Sequence, residues 1–521
     1  MTSRNAMANS RARALMVLGT GSGVGKSFVT AGLCRILSDA GVRVAPFKAQ
    51  NMSNNSFVTR EGGEMGRAQV VQAECARVEP SVHMNPVLLK PAADDGSQVV
   101  IHGKTIGTMR AQTYYALREK IWKAIEESYD RLSREYEVLV IEGAGSPAEI
   151  NLKEFDLVNL RVAERANAPC LLVGDIDRGG VFAWLWGTLA LLEESERERI
   201  VGLVINKFRG DSALLEPGLR TLENLCGKKV LGVLPYETDL WIEEEDSLAL
   251  DEKPPSRDSE RLDIAVILLP RISNATDFQI LAEEPGVSVR MIRRLEEFGS
   301  PDLLILPGTK ATIRDLEYLK TKGLAVKIQD YVQQGGRAFG ICGGFQMLGE
   351  RVEDPEGIES EKRFETGLSL LPIRSRFLGE KILRRVRGRV KNNIFSSPVC
   401  GELAGYEIHV GQTELGDGVR PLLEVTDSEN AGEWRSEGAI DISGKILGTY
   451  LHGLFDETSF RKAFLEALRQ SAGKKAPFLE SRVPSMGILK ERNYTRLADL
   501  LRKHLNLNFL ETCLNFPLPS R

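Results

Sequence analysis

Cysteine and histidine are scarce in this sequence, and neither is arranged as a metal site or a disulfide framework. The 521 residues hold seven cysteines, an odd number with no Cys-x-x-Cys pair, and five histidines. This pattern argues against structural zinc and against a disulfide scaffold, and it favours a reducing compartment. We therefore expect a cytoplasmic protein.

Long apolar runs and an excess of positive charge are also absent. No apolar run approaches the ~18 residues that a membrane-spanning helix needs. The net charge is only −4, which is not typical of a nucleic-acid-binding protein. Residues 1–12 carry basic side chains with no apolar segment of a signal peptide, so we expect a disordered leader. The sequence thus predicts neither a membrane nor a nucleic acid as a partner.

Short apolar segments alternate with helical patterns along most of the chain. This alternation is typical of α/β domains in which helices cover both faces of a mostly parallel sheet. A chain of 521 residues is too long for a single core, so we expect at least two such domains. The predicted strands are residues 15–18, 42–47, 138–141, 170–173, 201–205, 230–234, 263–269, 303–306 and 338–341.

A charged segment with a Pro-Pro pair, residues 243–262, interrupts this alternation and is typical of a linker. We expect one doubly wound domain over residues 13–242 and a second over residues 263–470. The remaining residues, 471–521, are basic and have helical spacing, so they predict a helical tail that packs on one of the domains.

The stretch VLGTGSGVGKS follows the first predicted strand and precedes a helical pattern. The common phosphate-binding loop has four residues between its first glycine and Gly-Lys-Ser/Thr, which would require glycine where Thr20 stands. Here five residues separate Gly19 from Gly25. A strand-to-helix turn exposes backbone N–H groups that attract phosphate, Lys26 can neutralise phosphate charge, and the Ser27 hydroxyl can bind Mg²⁺. The stretch therefore predicts a nucleotide site of variant spacing.

Polar side chains follow the carboxyl ends of the other predicted strands, where ligands bind on parallel sheets. Lys48 can neutralise phosphate charge, and Glu142 is a suitable Mg²⁺ ligand, directly or through water. The alternative for both is an ordinary solvated charge. Four further side chains are candidates for substrate or metal contact, with turn formation, capping or ion pairing as the alternative: Gln50, Asn51, Asp175 and Asp177.

A second chemical centre is predicted in RAFGICGGFQMLGE, where Cys342 stands on a glycine-rich strand-to-helix turn. Gly-x-Cys-x-Gly is the layout of a nucleophile elbow with sulfur in place of oxygen, and the helix N-terminus favours the thiolate. The N–H groups of Gly308 and Gly343 can form an oxyanion hole. His452, at a strand end in the same domain, is the best general base, and His409 is the second choice. The alternative for Cys342 is a buried structural cysteine.

The motifs LPGTK, GICGGFQMLGE and GTYLHGLF resemble the class I, triad-type glutamine amidotransferases in order and spacing. The resemblance implies that Cys342 takes the acyl group of glutamine and releases ammonia, that His452 is the base, and that Gln346 belongs to the glutamine pocket. The family usually has a glutamate two residues after the histidine, but Leu454 stands there. A Cys–His dyad, or an orienting acid from elsewhere, is therefore implied.

The N-terminal loop, with its five-residue spacing, resembles the dethiobiotin-synthetase-like ATP-binding fold. Both domains in this order, with the strings PFKAQNMS, GEMGRAQ, DIDRGGVFA and GYEIHVG, resemble the cobyric acid synthase family of cobalamin biosynthesis. The resemblance implies ATP and Mg²⁺ as cofactors and glutamine and a corrinoid as substrates. The implied reaction amidates the b, d, e and g side chains of adenosylcobyrinic acid a,c-diamide to give adenosylcobyric acid.

Two alternatives to this reaction remain open. One is another ATP-dependent glutamine amidoligase, such as cobyrinic acid a,c-diamide synthase, which would share both catalytic centres. The other is a nucleotide-regulated binding protein with an inactive amidase domain. Retention of Cys342, His452 and the Lys26–Ser27 pair argues against the second.

Overall fold

A computed structural model describes residues 11–91, 96–237, 240–243, 260–379, 381–429, 432–474 and 483–514. Most of the predicted leader and most of the predicted linker lie outside these residues. No described helix is both long enough and apolar enough to cross a membrane.

The strands of the N-terminal half, in chain order, are β1 Arg13–Gly19, β2 Val44–Phe47, β3 Gln50–Met52, β4 Ser56–Val58, β5 Glu64–Gly66, β6 Val87–Pro91, β7 Gly96–Ile101, β8 Lys104–Arg110, β9 Val138–Glu142, β10 Cys170–Asp175, β11 Ile200–Phe208 and β12 Val230–Pro235. Its α-helices are α1 Lys26–Asp39, α2 Arg67–Cys75, α3 Ala111–Ala116, α4 Arg118–Glu135, α5 Leu160–Ala166, α6 Val181–Leu191, α7 Glu194–Glu198 and α8 Ser212–Cys226. Short 3₁₀ helices cover Val82–Met84 and Ile150–Phe155.

A six-stranded sheet in the order β12-β11-β10-β1-β9-β2 forms the centre of this half. All of its neighbouring strands are parallel. Each strand predicted from this part of the sequence overlaps one of these six. Residues 15–18 of β1 are completely buried, which explains their continuous apolar run, because both faces of a parallel sheet are covered. The carboxyl ends of β1, β9 and β10 lie side by side, so the loops that follow them meet at one edge.

The chain after β2 differs from the loop that the sequence predicted. Strand β3 pairs in parallel with β6, at the edge of a four-stranded sheet of order β3-β6-β7-β8, and β4 and β5 form an antiparallel pair. Strands β3, β4 and β5 have three residues each, which is too short to show an alternating pattern, so these three strands had no sequence signature. Helix α2 follows β5 directly and packs against α1.

The strands of the C-terminal half are β13 Leu262–Ile267, β14 Val287–Ile292, β15 Leu303–Leu306, β16 Ala338–Ile341, β17 Arg351–Glu353, β18 Phe364–Thr366, β19 Ile373–Arg376, β20 Ile382–Val390, β21 Glu402–His409, β22 Gln412–Leu415, β23 Val419–Arg420, β24 Leu423–Asp427, β25 Arg435–Glu437, β26 Ala439–Asp441, β27 Ile446–Thr449 and β28 Leu451–His452. Its α-helices are α9 Gln279–Ala282, α10 Thr312–Thr321, α11 Leu324–Gln333, α12 Gly343–Leu348, α13 Thr458–Ser471, α14 Met486–His504 and α15 Asn508–Leu514. Two 3₁₀ helices cover Ala275–Phe278 and Leu295–Glu297.

A seven-stranded sheet in the order β14-β13-β15-β16-β27-β26-β23 organises the C-terminal half. The strands from β14 to β27 are parallel, and β26 and β23 are antiparallel additions. The α/β class with two mostly parallel sheets is thereby confirmed. Two antiparallel sheets, β18-β17-β19-β22 (with β17 and β19 parallel within it) and β25-β24-β20-β21-β28, were not predicted. The second of these carries His452, because β28 pairs with β21.

The tail helix α14 connects the two halves. Its first residue, Met486, is buried in the core of the C-terminal half, whereas Leu497 and Leu501 belong to a cluster with Leu33 of α1. Helix α14 contacts both α1 and β12. Leu497 and Leu501 are completely buried, and such burial contributes roughly 2 kcal/mol for each side chain. The tail therefore packs mainly on the N-terminal half.

Candidate active site

The loop between β1 and α1 closes tightly over the start of the helix. Gly25 caps α1 with φ of 102°, and a Cβ there would lie 2.0 Å from Asn206 Nδ2, so only glycine fits. Asn206 donates a hydrogen bond of 3.0 Å to a loop carbonyl. Lys26 Nζ donates to Gly21 O at 2.7 Å and to Gly145 O at 3.1 Å, which places the ammonium between the loop and the end of β9. This is the geometry of an anion-binding turn.

Gly19 and Thr20 form the start of this loop. Gly19 ends β1, and the Thr20 amide extends the sheet by donating to Val173 O at 2.9 Å. The extra residue in the Gly19-to-Gly25 spacing therefore leaves the strand pairing intact.

Glu142, the last residue of β9, accepts several hydrogen bonds beside the loop. Its Oε1 accepts from Ser27 Oγ at 2.8 Å and from Lys48 Nζ at 2.9 Å, and its Oε2 accepts from Gln72 Nε2. Burial by itself raises the pKa of Glu142, but the Lys48 charge and these hydrogen bonds hold that pKa below its ordinary value. The carboxylate is therefore ionised at neutral pH. A hydroxyl and a carboxylate are hard oxygen ligands, so Ser27 and Glu142 fit a Mg²⁺ ion that keeps part of its water shell.

The two aspartates predicted after β10 form ion pairs. Asp175 Oδ2 lies 3.0 Å from Lys207 Nζ and 3.8 Å from Arg178 Nε, and Asp177 Oδ1 lies 2.8 Å from Arg209 Nε. Within the described residues there is no group of three or more His, Cys, Asp or Glu side chains that could hold a metal ion. The geometry thus favours the ion-pairing alternative over a metal site.

Gln50 and Asn51 lie in the wall of a cavity of about 2640 Å³ that begins at the phosphate loop. The Tyr114 hydroxyl donates to Gln50 Oε1, and Asn51 Nδ2 donates to Gln69 Oε1 at 2.8 Å. Both side chains are therefore held by neighbours as part of the wall. The cavity is lined by residues of both halves, including Lys26, Ser27, Glu142, Leu269, Gln279 and Arg293.

Cys342 occupies a sharp turn between β16 and α12. Its φ of 52° and ψ of −110° are unfavourable for a residue with a side chain, as at a nucleophile elbow. The turn packs closely on β15, since a Cβ on Gly344 would lie 2.0 Å from Leu306 O. The Cys342 thiol donates to Ile408 O at 3.5 Å. The strand-to-helix turn predicted from the glycines is confirmed.

His452 hydrogen-bonds the carboxylate of Asp277, and Cys342 acts on the charge of its imidazole. Asp277 Oδ2 lies 2.6 Å from His452 Nδ1, and Asp277 Oδ1 accepts from Gly453 N at 3.0 Å. Burial lowers the pKa of His452, but the charge and hydrogen bond of Asp277, together with Cys342, raise it to about 10. At neutral pH the imidazole therefore carries a proton, and it can act as a proton donor beside the Cys342 sulfur.

Sequence reasoning missed Asp277, which lies 175 residues before His452. Asp277 stands in the 3₁₀ helix Ala275–Phe278, which follows β13. Its position after a parallel strand, at the same sheet edge as the cysteine turn, was the only sequence signal that it could belong to the site. Leu454, at the position of the family's usual glutamate, is buried in the apolar core. Of the two possibilities left open, the structure thus brings an acid from elsewhere to the histidine.

The two turns predicted to supply oxyanion-binding N–H groups lie together beside His452. A Cβ on Gly308 would lie 3.2 Å from His452 Cε1, and a Cβ on Gly343 would lie 2.6 Å from Thr309 Cγ2. Gly343 is also the first residue of α12, where backbone N–H groups have no partner within the helix.

Two family models match the chain. A CobQ/CobB/MinD/ParA nucleotide binding domain matches residues 15–249, and a CobB/CobQ-like glutamine amidotransferase domain matches residues 263–460. A cobyric acid synthase of Pelotomaculum thermopropionicum is 51% identical over 513 residues, 98% of either chain. One of Sorangium cellulosum is 48% identical over 95% of this chain and 98% of its own, and one of Listeria innocua is 46% identical over 95% and 96%. The chain belongs to the cobyric acid synthase family.

Membership of the cobyric acid synthase family confirms the resemblance inferred from the motifs. The protein is an enzyme, a ligase with a glutamine amidotransferase domain and a nucleotide-binding domain, and its role is an amidation in cobalamin biosynthesis.

The remaining predicted residues of the family's amidotransferase site lie close to Cys342. Gln346 Nε2 donates to Val410 O and to the Tyr450 hydroxyl, both at 3.1 Å, so its amide is held in place. The His409 ring stacks on Tyr450 with centroids 3.7 Å apart. Burial lowers the pKa of His409 to about 3, even though its hydrogen bond to a backbone carbonyl raises it. His409 lacks the Asp277 contact that His452 has, which favours His452 as the base.

Proposed function

We propose that this protein uses ATP and glutamine to convert peripheral carboxylates of a corrinoid into amides. In its specific form, the proposal is amidation of the b, d, e and g side chains of adenosylcobyrinic acid a,c-diamide to adenosylcobyric acid, with Mg²⁺, in the cytoplasm. The names of the relatives support the substrate class. The observation that carries the proposal is the presence, in one chain, of the Asp277–His452–Cys342 arrangement and the Lys26–Ser27–Glu142 cluster.

The C-terminal half supplies ammonia in this proposal. Cys342 Sγ attacks the side-chain amide carbon of glutamine, while the Gly308 and Gly343 N–H groups stabilise the developing oxyanion. Protonated His452 gives its proton to the departing nitrogen. The nitrogen leaves as ammonia, and a thioester between Cys342 and the glutamyl group remains. His452 then takes a proton from water, which attacks the thioester and releases glutamate. Asp277 holds the imidazole and stabilises its positive charge.

The N-terminal half activates the acceptor. A carboxylate is a poor electrophile, so its oxygen first attacks the γ-phosphorus of ATP. ADP departs, and the carboxylate becomes an acyl phosphate. Ammonia then attacks the carbonyl carbon and phosphate departs, which completes the amide. Such a transfer depends on positioning and charge neutralisation, and Lys26 and Lys48 provide positive charge at the loop. Mg²⁺, when bound at Ser27 and Glu142, would add further neutralisation of phosphate charge.

The cavity of about 2640 Å³ supports a large acceptor, because it exceeds the ~300–1,000 Å³ of ordinary small-molecule sites. It extends from the phosphate loop to side chains of the C-terminal half such as Leu269 and Gln279. We infer a synthetase domain over residues 13–242, an amidotransferase domain over residues 263–470 and a helical tail that joins them.

Cys342→Ala provides the test of this two-centre proposal. The variant should lose glutamine-driven synthesis by several orders of magnitude, because its nucleophile is gone. Amide formation from ammonium salts should survive and strengthen with rising pH, since only uncharged ammonia is nucleophilic. Incubation with ATP, a panel of corrinoid acids and each nitrogen donor, followed by mass determination of the products, measures both activities and identifies the acceptor.

Cys400→Ala is the matched control, because Cys400 is an exposed cysteine of the same half. It should behave as wild type with both donors. A folded Cys342→Ala protein that loses both activities equally would refute the two-centre proposal, and one that keeps full glutamine activity would show that another residue is the nucleophile.

A further inference from the structure

Tyr406 covers one face of the His452 imidazole. The two residues are directly opposite each other in the antiparallel pair of β21 and β28, and such neighbours place their side chains on the same face of a sheet. Their rings are stacked, with centroids 5.4 Å apart and planes inclined by 20°. Asp277 holds the edge of the imidazole at Nδ1, so the stacked ring restrains the tilt that one hydrogen bond leaves free.

The contact uses the ring of Tyr406 and not its hydroxyl. The hydroxyl oxygen is buried and has no hydrogen-bond partner among the described residues. Burial also raises the pKa of Tyr406 far above its ordinary value, so the phenol does not ionise in the neutral range. A planar aromatic surface is therefore what this position contributes to His452.

A residue of the N-terminal half also contacts the Tyr406 ring. The Arg67 guanidinium carbon lies 5.8 Å from the centroid of Tyr406 and 5.2 Å from that of Phe57, whose ring meets Tyr406 edge-on at 5.2 Å. Arg67 is buried and pairs with Glu243 at 3.1 Å, and Glu243 in turn lies 3.2 Å from Lys490 Nζ. These ion pairs restrict the guanidinium to its place beside the ring.

Arg67 is the first residue of α2, and the same helix reaches the phosphate loop. Gln72, near the end of α2, donates to Glu142 Oε2, and Gln69 accepts from Asn51. The residue that contacts Tyr406 is therefore held on an element anchored in the N-terminal half.

We propose that Tyr406 is a positioning residue for His452 and that Arg67 holds the Tyr406 ring in place. The glutamine site in the C-terminal half is then complete only when α2 of the N-terminal half is packed against it. This inference rests on the proposed roles of Cys342 and His452 in glutamine hydrolysis.

Glutamine hydrolysis by full-length Tyr406→Phe and Tyr406→Leu proteins tests the positioning role. Phenylalanine keeps the ring, so kcat should stay within about threefold of wild type. Leucine removes the planar surface, and kcat should fall ~10- to 100-fold, because a misplacement of about 1 Å can cost on the order of a hundredfold. The KM for glutamine should not change in either variant, since Gln346, the predicted glutamine-pocket residue, is held by Val410 and Tyr450 and not by Tyr406. Loss of kcat alone, with rescue by phenylalanine, is a result that general destabilisation would not give.

Arg67→Lys tests the contribution of the N-terminal half. Lysine keeps the charge opposite Glu243 but lacks the planar guanidinium, so kcat for glutamine hydrolysis should fall ~3- to 10-fold. Arg60→Lys is the matched control, because Arg60 of the N-terminal half pairs with Glu429 of the C-terminal half at 2.7 Å without contacting Tyr406. It should retain wild-type kcat, and an equal loss in both arginine variants would overturn the role of Arg67.

Two different results separate failure of this inference from failure of the proposed function. If wild type does not hydrolyse glutamine, or Cys342→Ala still does, the proposed function is wrong. If wild type hydrolyses glutamine and Tyr406→Leu keeps full kcat while making amide from ammonia normally, the positioning role is wrong. A rise in KM with unchanged kcat would overturn it as well. Should Tyr406→Leu not fold, the comparison of Arg67→Lys with Arg60→Lys decides.

Discussion

Asp277→Asn is the substitution that tests most directly how the glutamine site works. Asparagine has the size of aspartate, so the 3₁₀ helix Ala275–Phe278 should be preserved, but the negative charge beside His452 Nδ1 is lost. Burial, which lowers the pKa of the imidazole, is then opposed only by Cys342. We expect a smaller fraction of His452 to be protonated at pH 7 in this variant, so less imidazolium is present to protonate the departing nitrogen.

The size of the effect follows from the pKa of His452. Its rise from 6.5 to about 10 corresponds to roughly 5 kcal/mol of preference for the imidazolium, at ~1.4 kcal/mol per pKa unit. Asp277 accounts for the larger part of that preference and Cys342 for the rest, so loss of Asp277 lowers the population of the imidazolium by up to about three orders of magnitude. In the Ser-His-Asp enzymes, the matching aspartate-to-asparagine change lowers kcat by ~10⁴-fold. We therefore expect kcat for glutamine hydrolysis to fall ~10³- to 10⁴-fold.

The assay measures glutamate released from glutamine and, separately, amide formed from ammonium salts, which should be unaffected. Asp456→Asn is the matched control, because Asp456 is a half-buried residue whose backbone N–H donates to Gly453 O beside His452, and desolvation raises its pKa to about 7 despite the opposing charges of Lys490 and Arg67. It should lose at most about tenfold. The reasoning is refuted if Asp277→Asn keeps kcat within about tenfold of wild type, or if both variants lose activity equally.

Two further predictions concern the phosphate loop and the behaviour of the protein in acid. Lys26→Ala should abolish amide formation with glutamine and with ammonia, because carboxylate activation precedes nitrogen attack. Glutamate release from glutamine is the control. Near wild-type ATP-dependent turnover in this variant would contradict the role of Lys26. His409, with a pKa lowered to about 3 by burial, binds a proton in the unfolded chain below pH ~6.5 but in the folded protein only near pH 3. Its contribution to stability is thus present above pH ~6.5 and lost as pH falls towards 3. Between about pH 7 and 5, the free energy of unfolding of wild type should fall by about 2 kcal/mol more than that of His409→Gln. Urea denaturation at each pH measures this difference. An equal pH dependence of stability in the two proteins would show that His409 is not held neutral.

The two chemical centres were predictable because each is encoded within a short stretch of chain. Gly25 and Gly344 must be glycine, because a Cβ at either position would lie only 2.0 Å from a neighbouring atom. Each of these glycines stands beside an apolar strand and a helical pattern. Strand β15 lies where the apolar spacing places it, since backbone hydrogen bonding and burial act over a few residues. Local sequence thus determined the phosphate loop, the cysteine turn, the α/β class and the family.

The tertiary structure alone decided which distant side chains meet at those centres. Asp277 reaches His452 only because the loops after β13 and β27 end at one sheet edge, and Arg67 reaches Tyr406 only because the two halves are packed together. His452 itself stands on β28, a strand of two residues whose partner β21 lies far back in the sequence. A contact between residues separated by such distances leaves no periodicity or motif in the chain, because it depends on strand order and domain packing, which are properties of the whole fold.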